Sequence, residues 1–428
     1  MKSQRGNDLS KGKTGRTGLV VFDVEGVLVP KKRFLYFAVG RTLRLSQFLG
    51  MVFYGFLYEV GLISLKTALT HVFKVFKGMQ TQELLSIYKQ IPIIPKAKEI
   101  FKELKSEGWK TALISSGLPE VFVKDLASSL EADYSSGIEL KTQENTMTGE
   151  ISGDVIEKKG KLKVLRSILA KEELLPEDCV VVADDRNNLP IFLPQAFKIG
   201  YNPDFVLRVK ADVVLSGKLP EILSLIKRES KPTTRRAPTR NEIVREAIHA
   251  SGFFIPIITV LLGLFPTALL ISAITLLYAL SEVKRMERAS LPVVSSVTRA
   301  AATQTELYEF ATAPMFFALG ILLTLLLFPL PVSSVAIAAF TLGDSMASIF
   351  GGILGKRALP FNKGKTIEGS VSCFFFAFCA ALFFTTPAFA FLAAVATAII
   401  ESLPWPLNDN LVTPLFTALV LILTQSLL

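Results

Sequence analysis

The distribution of apolar residues divides the chain into two unlike halves. Up to about residue 240, short apolar runs alternate with polar segments, whereas nearly all long apolar runs lie after residue 245. Between the halves, residues 227–242 (KRESKPTTRRAPTRNE) are rich in Pro, Thr and Arg and almost free of large apolar side chains. Such a composition is typical of a linker. We therefore predict a linker at 227–245 that joins a soluble domain to a second domain at 246–428.

The second half contains about seven apolar stretches that could form membrane-spanning helices. They lie at roughly 247–265, 266–282, 309–328, 331–350, 370–385, 386–402 and 410–427. Some of them are a little shorter than the ~20 residues that cross a hydrocarbon layer. This pattern predicts an all-α polytopic membrane domain of about seven transmembrane helices.

The loops of this half predict its orientation. The connections near residues 266, 330 and 386 are short and uncharged, whereas the linker, SEVKRMERASLPVVSSVTRA and GKRALPFNKGK carry Lys and Arg. Basic loops face the cytosol. We therefore expect a multi-pass cell-membrane protein whose N-terminal domain and polar loops are cytosolic.

The overall charge and the cysteines narrow the function. The formal net charge is +10, but the basic residues lie in the tail, the linker and these loops rather than on a basic and aromatic face, which argues against a nucleic-acid partner. Cys179, Cys373 and Cys379 lack metal-ligand spacing, so we expect them to be reduced. Residues 1–16 have no apolar core and are expected to be a disordered basic tail, not a signal peptide.

Four polar motifs follow apolar runs in the soluble half. GLVVFDVEG predicts a strand that ends in Asp23 and Glu25, and KTALISSG predicts a strand that ends in Ser115 and Ser116. EKKGKLKVLRSIL predicts a helix that begins near Lys159 or Lys161. CVVVADDRNN predicts a strand that ends in Asp184 and Asp185. Strands that alternate with helices form a parallel sheet whose site lies at the carboxyl ends of the strands. One carboxylate could then attack phosphorus while a second handles the leaving-group proton.

This motif set, over about residues 17–226, resembles the haloacid dehalogenase superfamily and its phosphoserine phosphatase-like branch. The resemblance implies a Rossmann-like α/β fold with a helical cap at about 31–95. It also implies an Asp23 nucleophile that forms an aspartyl-phosphate, with Glu25 as general acid/base. Ser115 would hold a phosphoryl oxygen, Lys161 (or Lys159) would neutralise it, and Asp184 would bind Mg²⁺ together with Asp23.

The sequence departs from that family at three positions. Glu25 stands where most members have Asp, Ala183 replaces a Gly, and Asn188 replaces an acidic residue near the metal. A non-catalytic regulatory module therefore stays open as an alternative. The PKKRF segment, with Lys31 and Lys32, argues against a phosphoserine substrate. The apolar stretch at 45–65 is either a buried cap core or a surface for lipid.

The membrane half contains one unusually polar segment, GDSMASIFGGILGKRALPFNKGKTIEGS at 343–370. Its small residues recur every fourth position at Gly343, Ala347, Gly351 and Gly355, which favours close helix packing. Asp344 is unexpected at membrane depth unless it faces a polar cavity or a cation. Further polar residues of this segment and of IIESLPWPLNDNLVTPL could bind a Mg-nucleotide, with carboxylates on the metal and lysines on the phosphates: Lys356, Lys363, Lys365, Glu368, Glu401, Asp409 and Asn410.

These motifs, over about residues 240–428, resemble the dolichol kinase and phytol kinase family of CTP-dependent polyprenol kinases. The resemblance implies transfer of the CTP γ-phosphate to an isoprenoid alcohol, with a prenyl alcohol or prenyl phosphate lipid as partner. By position it implies a nucleotide and metal site formed by Asp344, Lys365, Glu368, Asp409 and Asn410. Asn408 replaces a carboxylate found in some members, which leaves the number of metal ligands open.

Two questions remain open in this half. A CDP-lipid synthase type of cytidylyltransferase shares the middle motif, although its closing signature is absent after residue 386. His249 and Glu282, near the cytosolic ends of the first two stretches, could accept the alcohol proton or serve only in packing. We assign no general base.

Overall fold

The computed structural model describes residues 18–30, 45–59, 62–215, 218–227, 237–286, 291–302, 306–307, 310–404 and 408–425. The predicted basic tail, Lys31 and Lys32, and residues 228–236 of the predicted linker lie outside the described residues.

A seven-stranded sheet organises the N-terminal half. Its strands, in the spatial order β4-β3-β2-β1-β5-β6-β7, are β1 (Leu19–Asp23), β2 (Lys110–Pro119), β3 (Tyr134–Gln143), β4 (Thr146–Ser152), β5 (Cys179–Ala183), β6 (Phe197–Tyr201) and β7 (Val213–Leu215). All neighbours pair in parallel except β3 with β4. Strands β1 and β5 are continuous apolar runs because both are completely buried. The predicted α/β fold with a parallel sheet is confirmed.

The helices of this half are α1 (Leu45–Glu59), α2 (Leu65–Lys74), α3 (Thr81–Lys89), α4 (Ala97–Ser106), α5 (Glu120–Leu130), α6 (Gly160–Lys171), α7 (Phe205–Lys210) and α8 (Glu221–Ile226). Helices α1–α3 lie between β1 and β2, at the position predicted for a cap. The apolar 45–65 stretch fits both of its interpretations, because Met51 is buried in the core while Phe53 and Leu62 are exposed.

The second half is helical. Its helices are α9 (Arg240–Ser251), α10 (Ile255–Leu262), α11 (Leu264–Met286), α12 (Pro292–Ala301), α13 (Ala313–Leu327), α14 (Leu330–Leu354), α15 (Ile367–Ala381), α16 (Pro387–Ser402) and α17 (Asp409–Gln425). A short hairpin of β8 (Ala358–Leu359) and β9 (Asn362–Thr366) joins α14 to α15. Helix α12 was not predicted, because it lies in a segment that reads as a charged loop.

Three helices are long and apolar enough to cross a membrane, judged by length and composition: Arg240–Leu262, Leu264–Met286 and Leu330–Leu354. The other four apolar helices, α13, α15, α16 and α17, have at most 17 residues, which corresponds to ~26 Å or less. The described residues thus contain helices suited to a membrane. Seven crossings and their orientation stay a prediction.

Helix α14 is the central helix of the second half and packs against α9, α13, α15, α16 and α17. Its small residues face α15. A Cβ added at Gly343 would lie 3.0 Å from the Cβ of Ala377, and one at Gly351 would lie 3.3 Å from the Cα of Gly369. Small side chains let the two backbones approach, so the periodic small residues are explained by helix packing.

The two halves touch each other directly. The hairpin residue Lys363 donates a hydrogen bond from Nζ to the carbonyl oxygen of Ala211, which follows α7, at 2.5 Å. Strand β9 also contacts β7 and α7. The hairpin of the membrane half therefore lies against the edge of the soluble sheet.

Candidate active sites

The first candidate site lies at the carboxyl ends of β1, β2 and β5, which are neighbours in the sheet. Asp23 is the last residue of β1 and is only 3% exposed. Its Oδ1 accepts hydrogen bonds from the backbone N–H of Val24 at 2.9 Å and from Nζ of Lys161 at 3.0 Å. Strand β1 and helix α6 thus bring a buried carboxylate and a buried ammonium group together across 138 residues of sequence.

Lys161, and not Lys159, faces this site. Lys159 precedes α6 in a left-handed conformation with φ 60° and is exposed. A Cβ on Gly160 would lie 1.7 Å from the carbonyl oxygen of Asp154, so only glycine allows the helix to begin here. Burial alone would lower the pKa of Lys161, but the carboxylates of Asp23, Asp185 and Glu25 outweigh it and raise that pKa. Lys161 is therefore a permanent positive charge near neutral pH.

Asn188 links the charges of this site. Its Oδ1 accepts from Lys161 Nζ at 2.7 Å. Its Nδ2 donates to Asp23 Oδ2 and, at 3.0 Å, to Asp185 Oδ1. The neutral amide can donate to two carboxylates at once, which an ionised Asp at this position could not do.

Ser115 holds Glu25. Its Oγ donates to Glu25 Oε2 at 2.6 Å and accepts from the N–H groups of Gly117 and Leu118. A Cβ on Gly117 would lie 1.9 Å from Glu25 Oε1, so the absent side chain leaves room for the longer carboxylate. The structure therefore shows Ser115 as a partner of Glu25, whereas the sequence predicted a contact to a phosphoryl oxygen.

Three carboxylates could hold a metal ion in this half. Asp23, Asp184 and Asp185 each place one oxygen within 4.8 Å of the others. Carboxylate oxygens are the ligands that Mg²⁺ prefers. A Cβ on Gly26, where φ is +79°, would lie 2.1 Å from Asp184 Oδ2, so this glycine lets the Asp184 carboxylate approach the β1 loop. The residues therefore fit Mg²⁺. The structure adds Asp185 to the two predicted metal ligands, Asp23 and Asp184.

The cap helix α1 contacts the loop beside these carboxylates. The hydroxyl of Tyr58 donates to Asn187 Oδ1. The guanidinium of Arg186 lies 5.4 Å from the centre of the Tyr58 ring and donates to the Tyr58 carbonyl oxygen at 3.3 Å. No sequence signal pointed to Tyr58, since an isolated aromatic residue in a cap carries no motif, and Arg186 and Asn187 had no assigned role within CVVVADDRNN.

The second candidate site surrounds Lys365 of strand β9. Its Nζ donates to the carbonyl oxygen of Glu401 at 2.6 Å, to Glu401 Oε1, and to Asp409 Oδ2 at 3.3 Å. Burial would lower the pKa of Lys365, but Glu401, Asp409 and Asp344 raise it. The hairpin therefore presents a partly buried positive charge to the ends of α16 and α17.

Asp344 lies on the other side of this group, on α14. Its Oδ2 is 3.5 Å from Nδ1 of His249 on α9. The structure brings Asp344, Lys365 and Asp409 into one region together with Glu401, which is 5% exposed. Glu401 belongs to the acidic stretch that the sequence suggested for a Mg-nucleotide, but not to the set that the family resemblance implied.

Four other predicted residues make different contacts. Glu368 begins α15 and accepts from the backbone N–H of Arg357 at 3.4 Å. Lys356 is exposed, and Lys363 contacts the soluble half. The backbone of Asn410 packs against α13, because a Cβ on Gly320 would lie 2.3 Å from the Asn410 carbonyl oxygen.

Glu282, one of two proposed proton acceptors, has structural partners. It is fully buried. Its Oε1 accepts a hydrogen bond from Nε of Arg285 at 2.9 Å, and its Oε2 accepts one from Nη2 of Arg285 at 2.7 Å. Its Oε2 also accepts from the N–H of Ala311 at 3.0 Å. These contacts connect α11 to the segment before α13, which assigns Glu282 to packing.

Two cavities adjoin the second site. A polar cavity of about 350 Å³ is lined by both halves of the chain, among them Leu215, Glu221, Glu246, Gly351, Lys365 and Glu401. A cavity of about 520 Å³ has mostly apolar walls from α9 to α13, among them Ile248, His249, Ile274, Val297, Phe317 and Ile321. Both volumes fall within the range of about 300–1,000 Å³ that is usual for small-molecule sites.

Comparison with known proteins concerns the first half. The haloacid dehalogenase-like hydrolase family matches residues 20–192. A phosphoserine phosphatase of Archaeoglobus fulgidus is 33% identical over 156 residues, which are 36% of this chain and 45% of that protein. The phosphoserine phosphatase of Idiomarina loihiensis is 28% identical over 49% of this chain and 94% of its own length. That of Methanocaldococcus jannaschii is also 28% identical, over 39% of this chain and 79% of its own length. A solved phospho-aspartyl intermediate analogue of phosphoserine phosphatase is 24% identical, with a TM-score of 0.44 over 49% of this chain and 99% of that one.

Proposed function

We propose that the N-terminal half, which is a haloacid dehalogenase-like phosphatase domain similar to phosphoserine phosphatases, hydrolyses phosphate monoesters through an aspartyl-phosphate on Asp23. The observation that carries this proposal is the buried contact of Asp23 with Lys161, beside a second carboxylate, Glu25, that Ser115 holds in place. A nucleophile, a fixed cation and an acid/base group are what such a displacement requires.

The reaction has two steps, and Glu25 acts as an acid in the first and as a base in the second. An Asp23 oxygen attacks phosphorus, the ester bond breaks, and Glu25 gives its proton to the leaving oxygen. Glu25 then removes a proton from water, which attacks phosphorus and releases phosphate from Asp23. Lys161 balances the negative charge throughout. Asp23, Asp184 and Asp185 would hold Mg²⁺, which supplies further charge neutralisation at the phosphoryl group.

The substrate is a phosphomonoester that fits beneath the cap. The relatives are named phosphoserine phosphatases, which makes phosphoserine one candidate. A prenyl phosphate is the other, because the cap helix α1 exposes Phe53 and the membrane half lies against the same domain. If the membrane half makes a prenyl phosphate, hydrolysis of that same lipid would be a futile cycle, which favours a different substrate or chain length.

The test is hydrolysis of p-nitrophenyl phosphate, phosphoserine and a prenyl phosphate by the full chain in detergent, with and without Mg²⁺. We expect Mg²⁺-dependent phosphate release that Asp23→Asn abolishes. Asp154→Asn is the matched control, since Asp154 is exposed and pairs only with the surface Lys163 among the described residues. Equal inactivity of the wild type and Asp23→Asn would instead support a non-catalytic regulatory domain.

We propose further that the membrane half is a CTP-dependent kinase that phosphorylates an isoprenoid alcohol. A specific arrangement favours this function: a polar cavity that contains Lys365 adjoins an apolar cavity through their shared wall at Arg245, and Asp344 lies beside His249, which lines the apolar cavity. The polar cavity suits a Mg-nucleotide and the apolar cavity suits a prenyl chain. The enzyme would be a multi-pass membrane protein with both sites on the cytosolic face.

Labelled nucleotides separate this proposal from its rival. With [γ-³²P]CTP and a panel of prenols, we expect label in a prenyl phosphate, less label when ATP replaces CTP as the donor, and none with Asp344→Asn. A CDP-lipid synthase would instead leave the γ-label in pyrophosphate and transfer [α-³²P]CMP to a phosphatidate-like lipid. Label in neither product, from a protein that still hydrolyses p-nitrophenyl phosphate, would refute the kinase alone.

A further inference from the structure

Three side chains that can bind metal meet where α9 crosses α14. Glu246 and His249 are three residues apart on α9, so they lie on one face of that helix. Asp344 faces them from α14. One ligand atom from each of the three lies within 4.8 Å of the others. The chain contains only two histidines, and this cluster contains one of them.

The cluster has buried atoms without partners. Glu246 is 3% and His249 is 8% exposed, yet Glu246 Oε2 and His249 Nδ1 have no hydrogen-bond partner in the part of the chain that the structure describes. The other Glu246 oxygen accepts only a long contact, 3.4 Å, from Nε of Arg245. Buried polar atoms are normally satisfied. A cation bound in this cluster would satisfy both of these atoms.

We propose that Glu246, His249 and Asp344 form a binding site for a divalent cation of the Mn²⁺ or Zn²⁺ class. The 3.5 Å between His249 Nδ1 and Asp344 Oδ2 is close to the ~3.4 Å between two tetrahedral ligands that each lie ~2.1 Å from an ion. An imidazole nitrogen favours a transition-type metal over Mg²⁺. Two carboxylates balance the two positive charges.

The fold holds these ligands in place. The ring of His249 stacks on Phe317 of α13, with centroids 4.4 Å apart and planes at 15°. The close approach of the helices depends on Gly252, where a Cβ would lie 2.7 Å from Thr341 Cγ2. Stacking holds the plane of the imidazole ring beside the cluster.

The position of the cluster suggests what the cation would do. Glu246 lines the polar cavity and His249 lines the apolar one. Three protein ligands leave coordination positions open, and these would face oxygen atoms of molecules in either cavity. If the kinase proposal holds, the ion would orient the lipid hydroxyl; cation binding itself does not depend on that proposal.

Pulsed electron paramagnetic resonance of Mn²⁺ bound to the tag-free full chain in detergent tests the site without any nucleotide. We expect ¹⁴N coupling from an imidazole, because the other candidate site, at Asp23, Asp184 and Asp185, offers only oxygen ligands. His249→Gln should remove the coupling and His71→Gln should keep it, since His71 stacks on Tyr54 in the cap.

Two more variants complete the test. Glu246→Gln should weaken the nitrogen-coupled Mn²⁺ by roughly tenfold or more, since loss of even an outer-shell partner costs about that much. Asp184→Asn should leave the nitrogen coupling unchanged. Absence of the coupling in the wild type, or its survival in His249→Gln, overturns the proposal; unchanged elution and circular dichroism show that each variant is folded.

Discussion

Replacement of Lys161 by Met gives a quantitative test of the phosphatase site. Met is similar in length but uncharged, so the substitution removes the ammonium group and keeps most of the packing. It deletes the 3.0 Å contact to Asp23 Oδ1 and the 2.7 Å contact to Asn188 Oδ1. Lys161 is 4% exposed, so water cannot readily replace the lost charge.

The magnitude follows from the charge and its distance. Two unit charges ~3 Å apart interact with ~5 kcal/mol at an effective dielectric constant of about 20. Only the part of this interaction energy that is larger in the transition state than in the ground state affects the rate. Loss of one comparable electrostatic donor lowers kcat by about 10²–10³ in other enzymes. We expect a fall of that size for Lys161→Met, with a smaller effect on KM.

The assay is Mg²⁺-dependent hydrolysis of p-nitrophenyl phosphate over a range of substrate concentrations. Lys163→Met is the matched control, because Lys163 lies on the same helix but its side chain is 72% exposed. A Lys161→Met variant that is folded and within threefold of the wild type would refute the assigned role. Equal losses in both variants would point to damage of α6 instead.

The remaining predictions concern three further substitutions and one pH dependence. Asn188→Asp adds a carboxylate beside Asp23 and should lower the half-saturating Mg²⁺ concentration about tenfold; an unchanged Mg²⁺ titration would contradict this. Gly117→Ala should displace Glu25 and lower kcat by ~10², while the melting temperature stays nearly constant. Gly351→Val should destabilise the chain by ~1–3 kcal/mol in a thermal melt, whereas the exposed Ile353→Val should not. The pKa of Lys161 is raised in the folded state, so its protonated form stabilises the fold fully below the unfolded pKa of about 10.5, and this stabilisation is lost as pH rises through the folded pKa. Denaturant melts from pH 7 to 11 should therefore show a loss of stability from this group only at the alkaline end. The loss should be smaller in Lys161→Met.

The sequence predicted the location of the first site because parallel strands end at one edge of a sheet. The pairing of Asp23 with Asp184 was implied by the family resemblance, and the structure shows that their strands, β1 and β5, are neighbours. The choice between Lys159 and Lys161 needed the start of α6, which depends on the contact of Gly160 with Asp154. The hydrogen bond from Ser115 to Glu25 was not predicted, because the conformation of a carboxylate beyond a strand end cannot be read from the sequence; the contact of Ser115 with a phosphoryl oxygen stays a prediction.

Prediction was weaker in the membrane half because helix packing, and not strand order, brings its polar residues together. Lys365 and Asp409 were expected to meet, and they do. Glu368 was expected in the same group, but its position at the start of α15 directs it to the backbone of the hairpin. Glu246 was missed, since one acidic residue in a basic segment reads as a surface charge. Its spacing of three residues from His249 was the available signal.

The contact between the halves gives a physical reason for joining them in one chain. The polar cavity beside Lys365 has walls from both: Leu215 and Glu221 belong to the soluble half, and Glu246 to the membrane half. The hairpin that carries Lys365 is also held by the hydrogen bond from Lys363 to Ala211. Any shift of the soluble domain that breaks this contact must change the shape of the cavity and the support of Lys365. The soluble half is thus part of the structure of the second site, whether or not the two sites share a substrate.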